Sequence, residues 1–185
     1  MPDNAERIHI DTRWFVSADL PEALAIEKAS FPIPWVEEDF RALMAKRNVI
    51  GIVARCNPLH CEEEEGPILG YAIYELHDNY IEILTLAVHP SYQRRAIGKQ
   101  LTQKLQSKLS AVKSRRRIEI RVPEECLGLQ LLLRSCGFLA TSVRHLAGST
   151  HFGATDKYVM EWFKYDPEPS FHSIELDNDT QEDFN

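Results

Sequence analysis

The chain has 185 residues, 44% of them apolar and 26% charged, which suits one globular domain with a sizeable core rather than a disordered polymer. Its formal net charge of -7 speaks against a nucleic-acid partner, yet the charge is unevenly spread: residues 1–88 hold 16 acids and 7 bases, residues 89–121 hold 10 bases and 1 acid, and residues 166–185 hold 7 acids and no Lys or Arg. No apolar run approaches the roughly 18–20 residues of a membrane span, and the polar residues 1–10 carry no signal-peptide apolar stretch, so the expectation is a soluble cytoplasmic protein with no membrane partner.

Residues 8–16 alternate well enough for a strand. Asp19 with Pro21 close behind marks a helix start, and Leu20, Leu24, Ile26 and Ala29 form its apolar face. Pro32 and Pro34 end that helix, because neither can continue it. A second helix is expected through Phe40, Leu43 and Met44 to about Arg47, then strands over Val49–Arg55 and Ile68–Leu76. The Glu62–Glu65 run between those strands is too charged for a core and reads as loop. A third strand, Tyr80–Val88, ends at His89-Pro90.

Ile97, Leu101, Leu105 and Leu109 then recur every four residues, one face of a long helix. The stretch from Lys113 to Arg117 reads as a solvated turn, Ile118–Val122 as a strand, and Leu127–Cys136 as a helix stopped by Gly137. Phe138–Arg144 and Lys157–Phe163 close the pattern as two strands. The result is an α+β domain over residues 1–165, in the order β-α-α-β-β-β-α-β-α-β-β, followed by an acidic tail over 166–185 that is expected to be disordered. The four cysteines, Cys56, Cys61, Cys126 and Cys136, have no CxxC spacing, and His60 beside Cys61 is an isolated pair, so four reduced thiols and no metal are expected. No P-loop, dinucleotide fingerprint, HExxH or GxSxG is present.

The most informative stretch runs from Glu82 to Lys99. A buried strand feeds a turn, and the turn opens the long helix. Free N–H groups at such a helix start point one way, the dipole adds partial positive charge, and anions bind there. Gly98 would allow close approach to the backbone, and Arg94 and Arg95 add full charges. The basic segment has no interleaved aromatics, so a nucleic acid is not the expected ligand.

Gln93-Arg94-Arg95-Ala96-Ile97-Gly98 resembles the Gln/Arg-x-x-Gly-x-Gly/Ala signature of the GNAT superfamily of acetyl-CoA-dependent N-acetyltransferases, with Ala96 in place of the first glycine. The likeness spans about residues 8–164. Pro34-Trp35-Val36-Glu37-Glu38-Asp39-Phe40, Leu86-Ala87-Val88-x-Pro90-x-Tyr92-Gln93 and Arg134-Ser135-Cys136-Gly137-Phe138 are most similar to the ribosomal-protein alanine N-acetyltransferases. The resemblance implies a mixed seven-stranded sheet with four helices. It implies that Leu86, Ala87 and Val88 offer backbone groups to the acetyl and pantetheine parts of acetyl-CoA. It further implies that Arg94, Arg95, Ala96, Ile97, Gly98 and Lys99 cradle the pyrophosphate.

In this superfamily the acceptor amine attacks the thioester directly, so a base near the acetyl group is useful. Glu82 is the first candidate: histone-acetylating relatives carry their base in this strand, and Glu82 is the sole charge between Asn79 and Val88. A facing cleft would raise its pKa. Glu119 is the second candidate. Counting back from Gly137 puts Arg121 where ribosomal N-acetyltransferases place a catalytic Glu, and a longer loop or a bulge would bring Glu119 there from two residues earlier. Three positions depart from the family: Cys126 stands at a frequent Asn, Leu133 at a frequent Tyr that protonates the leaving thiolate, and Ala147-Gly148 at paired tyrosines. Trp35 and Pro34, with the loop Arg144–Thr155, flank the expected acceptor side, although Trp35 serves equally as a core anchor between the first two helices. The implied function is acetyl transfer to a primary amine, first of all a protein N-terminus. The alternatives are a small-molecule amine or a non-catalytic acyl-CoA-binding module.

Overall fold

The computed structural model of the protein describes residues 7–57, 66–111, 115–146 and 155–164. His60, Cys61, the Glu62–Glu65 run, Ala147-Gly148 and the acidic tail lie outside the described residues. Seven strands form one sheet: β1 (Ile10–Trp14), β2 (Val49–Cys56), β3 (Ile68–Leu76), β4 (Tyr80–Val88), β5 (Arg117–Pro123), β6 (Leu139–Leu146) and β7 (Thr155–Phe163). Their spatial order is β1-β2-β3-β4-β5-β7-β6, and every described pair is antiparallel except β4–β5. The helices are α1 (Leu20–Ser30), α2 (Glu37–Met44), α3 (Ile97–Ala111) and α4 (Leu127–Ser135). The parallel pair needs a crossover, and α3 supplies it.

The four-residue repeat of α3 explains its seat. Ile97, Leu101, Leu105 and Leu109 are all buried and pack on a sheet face built from Ile52, Leu69, Ala72, Ile81, Ile83, Ile118, Ile120, Val122 and Met160. Four such side chains withdraw apolar surface worth about 1.5–3 kcal/mol each before entropy is counted. Leu133 of α4 and Phe138 complete this core. On the opposite face, Leu20, Ala23 and Ile26 of α1 and Phe40 of α2 pack on Val53, Tyr71 and Ile73.

Asp19 ties the start of α1 to β1. Its carboxylate is buried and accepts from both Arg13 guanidinium nitrogens, at 2.7 and 2.6 Å, and from the Val16 N–H at 2.8 Å. Burial alone would push the carboxyl pKa up; Arg13, the Val16 amide and nearby Arg55 outweigh it and hold the group below its ordinary value.

One expectation changes. Cys56, at the end of β2, is disulfide-bonded, so the chain does not carry four reduced thiols, while Cys126 and Cys136 are free. The absence of CxxC spacing does not exclude a disulfide; which thiols meet depends on how the fold brings them together. Nor does a bulge in β5 move Glu119 into the place of Arg121: β5 keeps unbroken register with β4 and with β7. The bulge lies in β4 instead, where the pairing steps from Ile73↔Thr85 to Tyr74↔Ile83 and leaves Leu84 over.

Candidate functional site

That extra residue sets which side chains face where. Ile81 and Ile83 point to the α3 face, and after the bulge Leu86 and Val88 do so as well. Leu84 and Ala87 pack on the α1 face, which also holds the buried Tyr71. Glu82 therefore sits on the α1 side of the sheet, away from the apolar layer under α3.

The β4–β5 ladder runs from Tyr80↔Arg117 to Ile83↔Ile120 and stops. Beyond it, β4 continues to Val88 paired with β3, and β5 continues to Pro123 paired with β7. The two strands thus fork, and the β5-facing edge of Leu86, Ala87 and Val88 has no ladder partner among the described residues. Gln93 crosses near this edge, its side-chain amide donating to Val88 O at 3.1 Å.

The turn after β4 brings α3 to the mouth of the fork. Arg94 (φ 64°) and Ala96 (φ 63°) both adopt the left-handed conformation. A glycine at position 96 would take this backbone without strain, which accounts physically for the residue type in the signature. The first hydrogen bond of α3 is Gln100 N–H to Ala96 O at 3.0 Å, so the amides of Ile97, Gly98 and Lys99 stand outside its ladder. Arg94 and Lys99 are exposed and Arg95 is half-buried. Gly98 has a packing duty that the sequence did not disclose: a Cβ there would meet Leu132 Cδ1 at 2.9 Å, so its bareness lets α4 close on α3.

At the root of the fork, Glu82 and Glu119 are cross-strand partners, one residue before the ladder ends. The apparent isolation of Glu82 is a property of the linear chain alone. Its Oε1 lies 2.9 Å from Arg121 Nη1, and its Oε2 lies 3.3 Å from His77 Nε2. Arg121 Nη2 also reaches Glu119 Oε1 at 3.4 Å, so one guanidinium bridges both candidate bases. Glu161 stands opposite Glu119 on β7 and pairs with Arg117 Nη1 at 2.6 Å. Tyr80 is sandwiched on this face, with the His77 ring stacked at 4.2 Å and the Arg117 guanidinium 4.6 Å from its centroid. Burial, then the Glu82 and Glu119 carboxylates, push its phenol pKa up against Arg117 and Arg121.

Trp35 is half-buried, its ring edge-on to Phe40 of α2 at 5.7 Å. The Trp35 backbone N–H donates to Glu27 Oε1 at 3.1 Å, and Glu27, wholly buried, accepts a hydrogen bond from the Tyr71 hydroxyl. Burial and the Glu27 carboxylate raise the Tyr71 phenol pKa well above its ordinary value. Leu133 is fully buried beneath α4, so no proton donor stands at that position. Burial and Glu125 push the Cys126 thiol pKa up. Among the described residues no cluster of His, Cys, Asp or Glu is disposed to hold a metal, and no helix is long and apolar enough to cross a membrane.

A forked sheet, a bulged β4 and an anion-ready α3 start are matched in sequence by the Acetyltransferase (GNAT) family profile over residues 20–138. The chain belongs to this GNAT family. It is 24% identical over 144 residues to the Escherichia coli K12 ribosomal protein bS18-alanine N-acetyltransferase, covering 78% of this chain and 90% of that protein. The crystal structure of the Escherichia coli S18-alanine enzyme superposes with a TM-score of 0.71 at 21% identity, covering 89% of this chain and 99% of that one. Arabidopsis thaliana NAA60 in complex with acetyl-CoA gives 0.70 at 18% identity, covering 84% and 98%. Arabidopsis thaliana Naa50 with the bisubstrate analogue CoA-Ac-MVNAL gives 0.66 at 16% identity, covering 83% and 97%. The open mixed seven-stranded sheet with four helices is the GNAT fold.

The site residues that sequence reasoning missed are Arg121 as a bridge, His77, Glu161 and the Glu27–Tyr71 pair. Each acts across strands or helices far apart in the chain, and no local spacing signals such a contact.

Proposed function

We propose that the protein is an acetyl-CoA-dependent N-acetyltransferase that passes acetyl directly to a primary amine, a protein N-terminus first of all. The observation that carries this reading is the β4–β5 fork with two carboxylates at its root and free helix amides at its mouth. A strand edge with open amides takes an amide-bearing ligand as it would an added strand, which suits the pantetheine arm along Leu86, Ala87 and Val88. The amides of Ile97, Gly98 and Lys99, the left-handed Arg94 and Ala96, and the charges of Arg94, Arg95 and Lys99 suit the pyrophosphate. The acetyl-CoA in the Arabidopsis NAA60 structure and the peptide-bearing analogue in Naa50 support the same assignment by likeness.

In the transfer, the neutral amine nitrogen attacks the thioester carbonyl carbon. A C–N bond forms, the C–S bond breaks, and coenzyme A departs as the thiolate. The proton lost by the amine passes to a carboxylate directly or through one water. Glu82 is assigned this role first, because it lies on the strand whose free edge would carry the thioester; Glu119, directly across, is the second candidate. The Leu133 side chain cannot donate a proton, and a thiolate is a fair leaving group without an acid. Trp35 and the residues around it border the acceptor side. The reading needs no metal and includes a cytoplasmic location. Chelator-insensitive turnover and cell fractionation test these two points.

The test is thiol release from acetyl-CoA with peptides of free and blocked N-terminus beside a panel of small amines. Release with free N-termini and none with blocked ones is expected. No release with any amine, despite acetyl-CoA binding, overturns the reading in favour of an acyl-CoA-binding module. Release with small amines alone favours the small-molecule alternative, which the buried Leu133 already keeps in view.

A further inference from the structure

The charged face of β4, β5 and β7 is not evenly balanced along its length. At the root of the fork, Glu82, Glu119 and Glu161 are matched by Arg117 and Arg121. Toward the open end of β5, two cations have no such match. Lys157 lies opposite Pro123 on β7, and Arg144 lies opposite Lys157 on β6. Cross-strand partners share a face, and Tyr158, Met160 and Trp162 occupy the α3 side, so Lys157, Val159, Glu161 and Arg144 share the face of the carboxylates. Asp156 alternates to the other face.

Lys157 is only 6% exposed, and among the described residues no carboxylate or hydrogen-bond acceptor meets its ammonium. The charges beside it are cations: Arg144 directly opposite on β6 and Arg121 diagonal to it across the β5–β7 pair. Lysine is almost never buried to this degree unless paired. Burial, with Arg121 added, lowers its pKa. Arg144, beside it, is exposed and makes no ion pair among the described residues. Among the described residues, Lys157 and Arg144 are thus two cations without a protein carboxylate, side by side and next to Arg121, on the face that carries the carboxylates.

We propose that Lys157, with Arg144 and Arg121 beside it, is an anion subsite on the acceptor side, and that the preferred acceptor carries a carboxylate a few residues behind its reacting amine. The inference deepens the acetyltransferase reading and rests on it. The scale fits a peptide. From the end of the β4–β5 ladder at Ile120 to Pro123 is three residues, or about 10 Å along the strand, and Lys157 is one strand further across. An extended peptide covers about 3.3–3.6 Å per residue, so an Asp or Glu at the second to fourth position reaches the subsite while the α-amine stands at Glu82 and Glu119. The face is thus polarised as such an acceptor is: carboxylates where the amine loses its proton, cations where the acid docks.

The experiment uses the full chain, acetyl-CoA and free-amine peptides carrying Glu, Gln or Lys at the second, third or fourth position, read by thiol release. At one of these positions the Glu peptide should exceed its Gln counterpart about tenfold in kcat/KM, chiefly through KM. Lys157→Met should bring that ratio to about one, Lys157→Arg should restore most of it, and Lys157→Glu should shift the preference to the Lys peptide. Because Lys157 makes no ion pair among the described residues and its stem is buried, the melting temperature of Lys157→Met should equal or exceed that of the wild type, which a lysine held in a structural ion pair would not allow. Equal rates for Glu and Gln peptides at all three positions, or a ratio that survives Lys157→Met, would overturn the subsite. If peptides are inert and small amines react, carboxylate-bearing amines are compared with their uncharged amides: a Lys157-dependent advantage supports the subsite and its absence overturns it. If no amine reacts at all, the acetyltransferase reading falls and takes the subsite with it.

Discussion

The two faces of β4, β5 and β7 follow opposite rules. Under α3, the face presents Ile81, Ile83, Ile118, Ile120, Val122 and Met160, all buried and all apolar. The other face of the same strands presents Glu82, Glu119, Glu161, Arg117, Arg121 and Lys157. A sheet optimised for stability alone would bury apolar residues on both sides, because close-packed apolar contacts need no compensating partner. Here one face carries the stability, and the other holds charges in place, Glu82, Glu119 and Glu161 against Arg117 and Arg121, with Lys157 left unpaired among the described residues. The difference teaches where function lies: on the face whose composition packing does not explain.

The sharpest way to break this contrast is on the charged side. Replacing both carboxylates, Glu82→Gln with Glu119→Gln, should lower kcat by about 10²–10⁴-fold, the usual contribution of general base catalysis, and leave acetyl-CoA affinity within a small factor. Single-turnover rates and equilibrium titration check the two halves of that statement. Of the single variants, Glu82→Gln is expected to cost more; a larger loss from Glu119→Gln would exchange their roles.

On the apolar side the readout reverses. Leu101→Ala, at a wholly buried position of α3, should cost about 2–5 kcal/mol of stability by chemical denaturation. At temperatures where the variant stays folded, its kcat should remain near that of the wild type. Loss of kcat without loss of stability would erase the division between the faces.

A smaller effect is expected at the sheet's far end. Asp19→Asn should destabilise by about 1.5–3 kcal/mol, the range for hydrogen bonds to a charged group, because Arg13 loses a bidentate partner. The folded-state pKa of Asp19 is depressed, so the stability it supplies is fully present above the ordinary aspartate value of about 3.9 and is lost as pH falls through the lower folded value. The gap between wild type and variant should therefore be flat above about pH 5 and narrow steadily below pH 4 in denaturation curves taken across pH.

The smallest effect is at the mouth of the fork. Ala96→Gly relieves a left-handed alanine costing about 1–2 kcal/mol but adds unfolded-state freedom of about 0.4–1, so a gain of up to about 1 kcal/mol is expected. A rise of a few degrees in melting temperature would register it. A β-branched residue there should lower stability instead.

Local pattern carried much of this architecture. The spacing of Ile97, Leu101, Leu105 and Leu109 specified α3 and its buried face, and the apolar runs of β3 and β4 specified their limits to the residue. Position in the sheet was not legible, because β5 inserts between β4 and β7 by a pairing that no short stretch encodes. The same limit governed the site. Glu82 and Glu119 each stood out in the sequence, but that they face one another, and that Arg121 bridges them, depends on a parallel register set by the length and seat of α3. Lys157 was invisible for a related reason: a lysine at a strand start reads as solvated until β5 and β6 close on either side of it. Gly98 was legible as a motif member, yet its contact with Leu132 required α4 to be in place.

The most direct test of the central claim is mass-spectrometric detection of acetyl on the α-amine of a free-N-terminus peptide incubated with the protein and acetyl-CoA, run beside Glu82→Gln/Glu119→Gln. The account predicts acetylated peptide with the wild type and at least about a hundredfold less per unit time with the double variant. Acetylated peptide at equal rates from both proteins would contradict it.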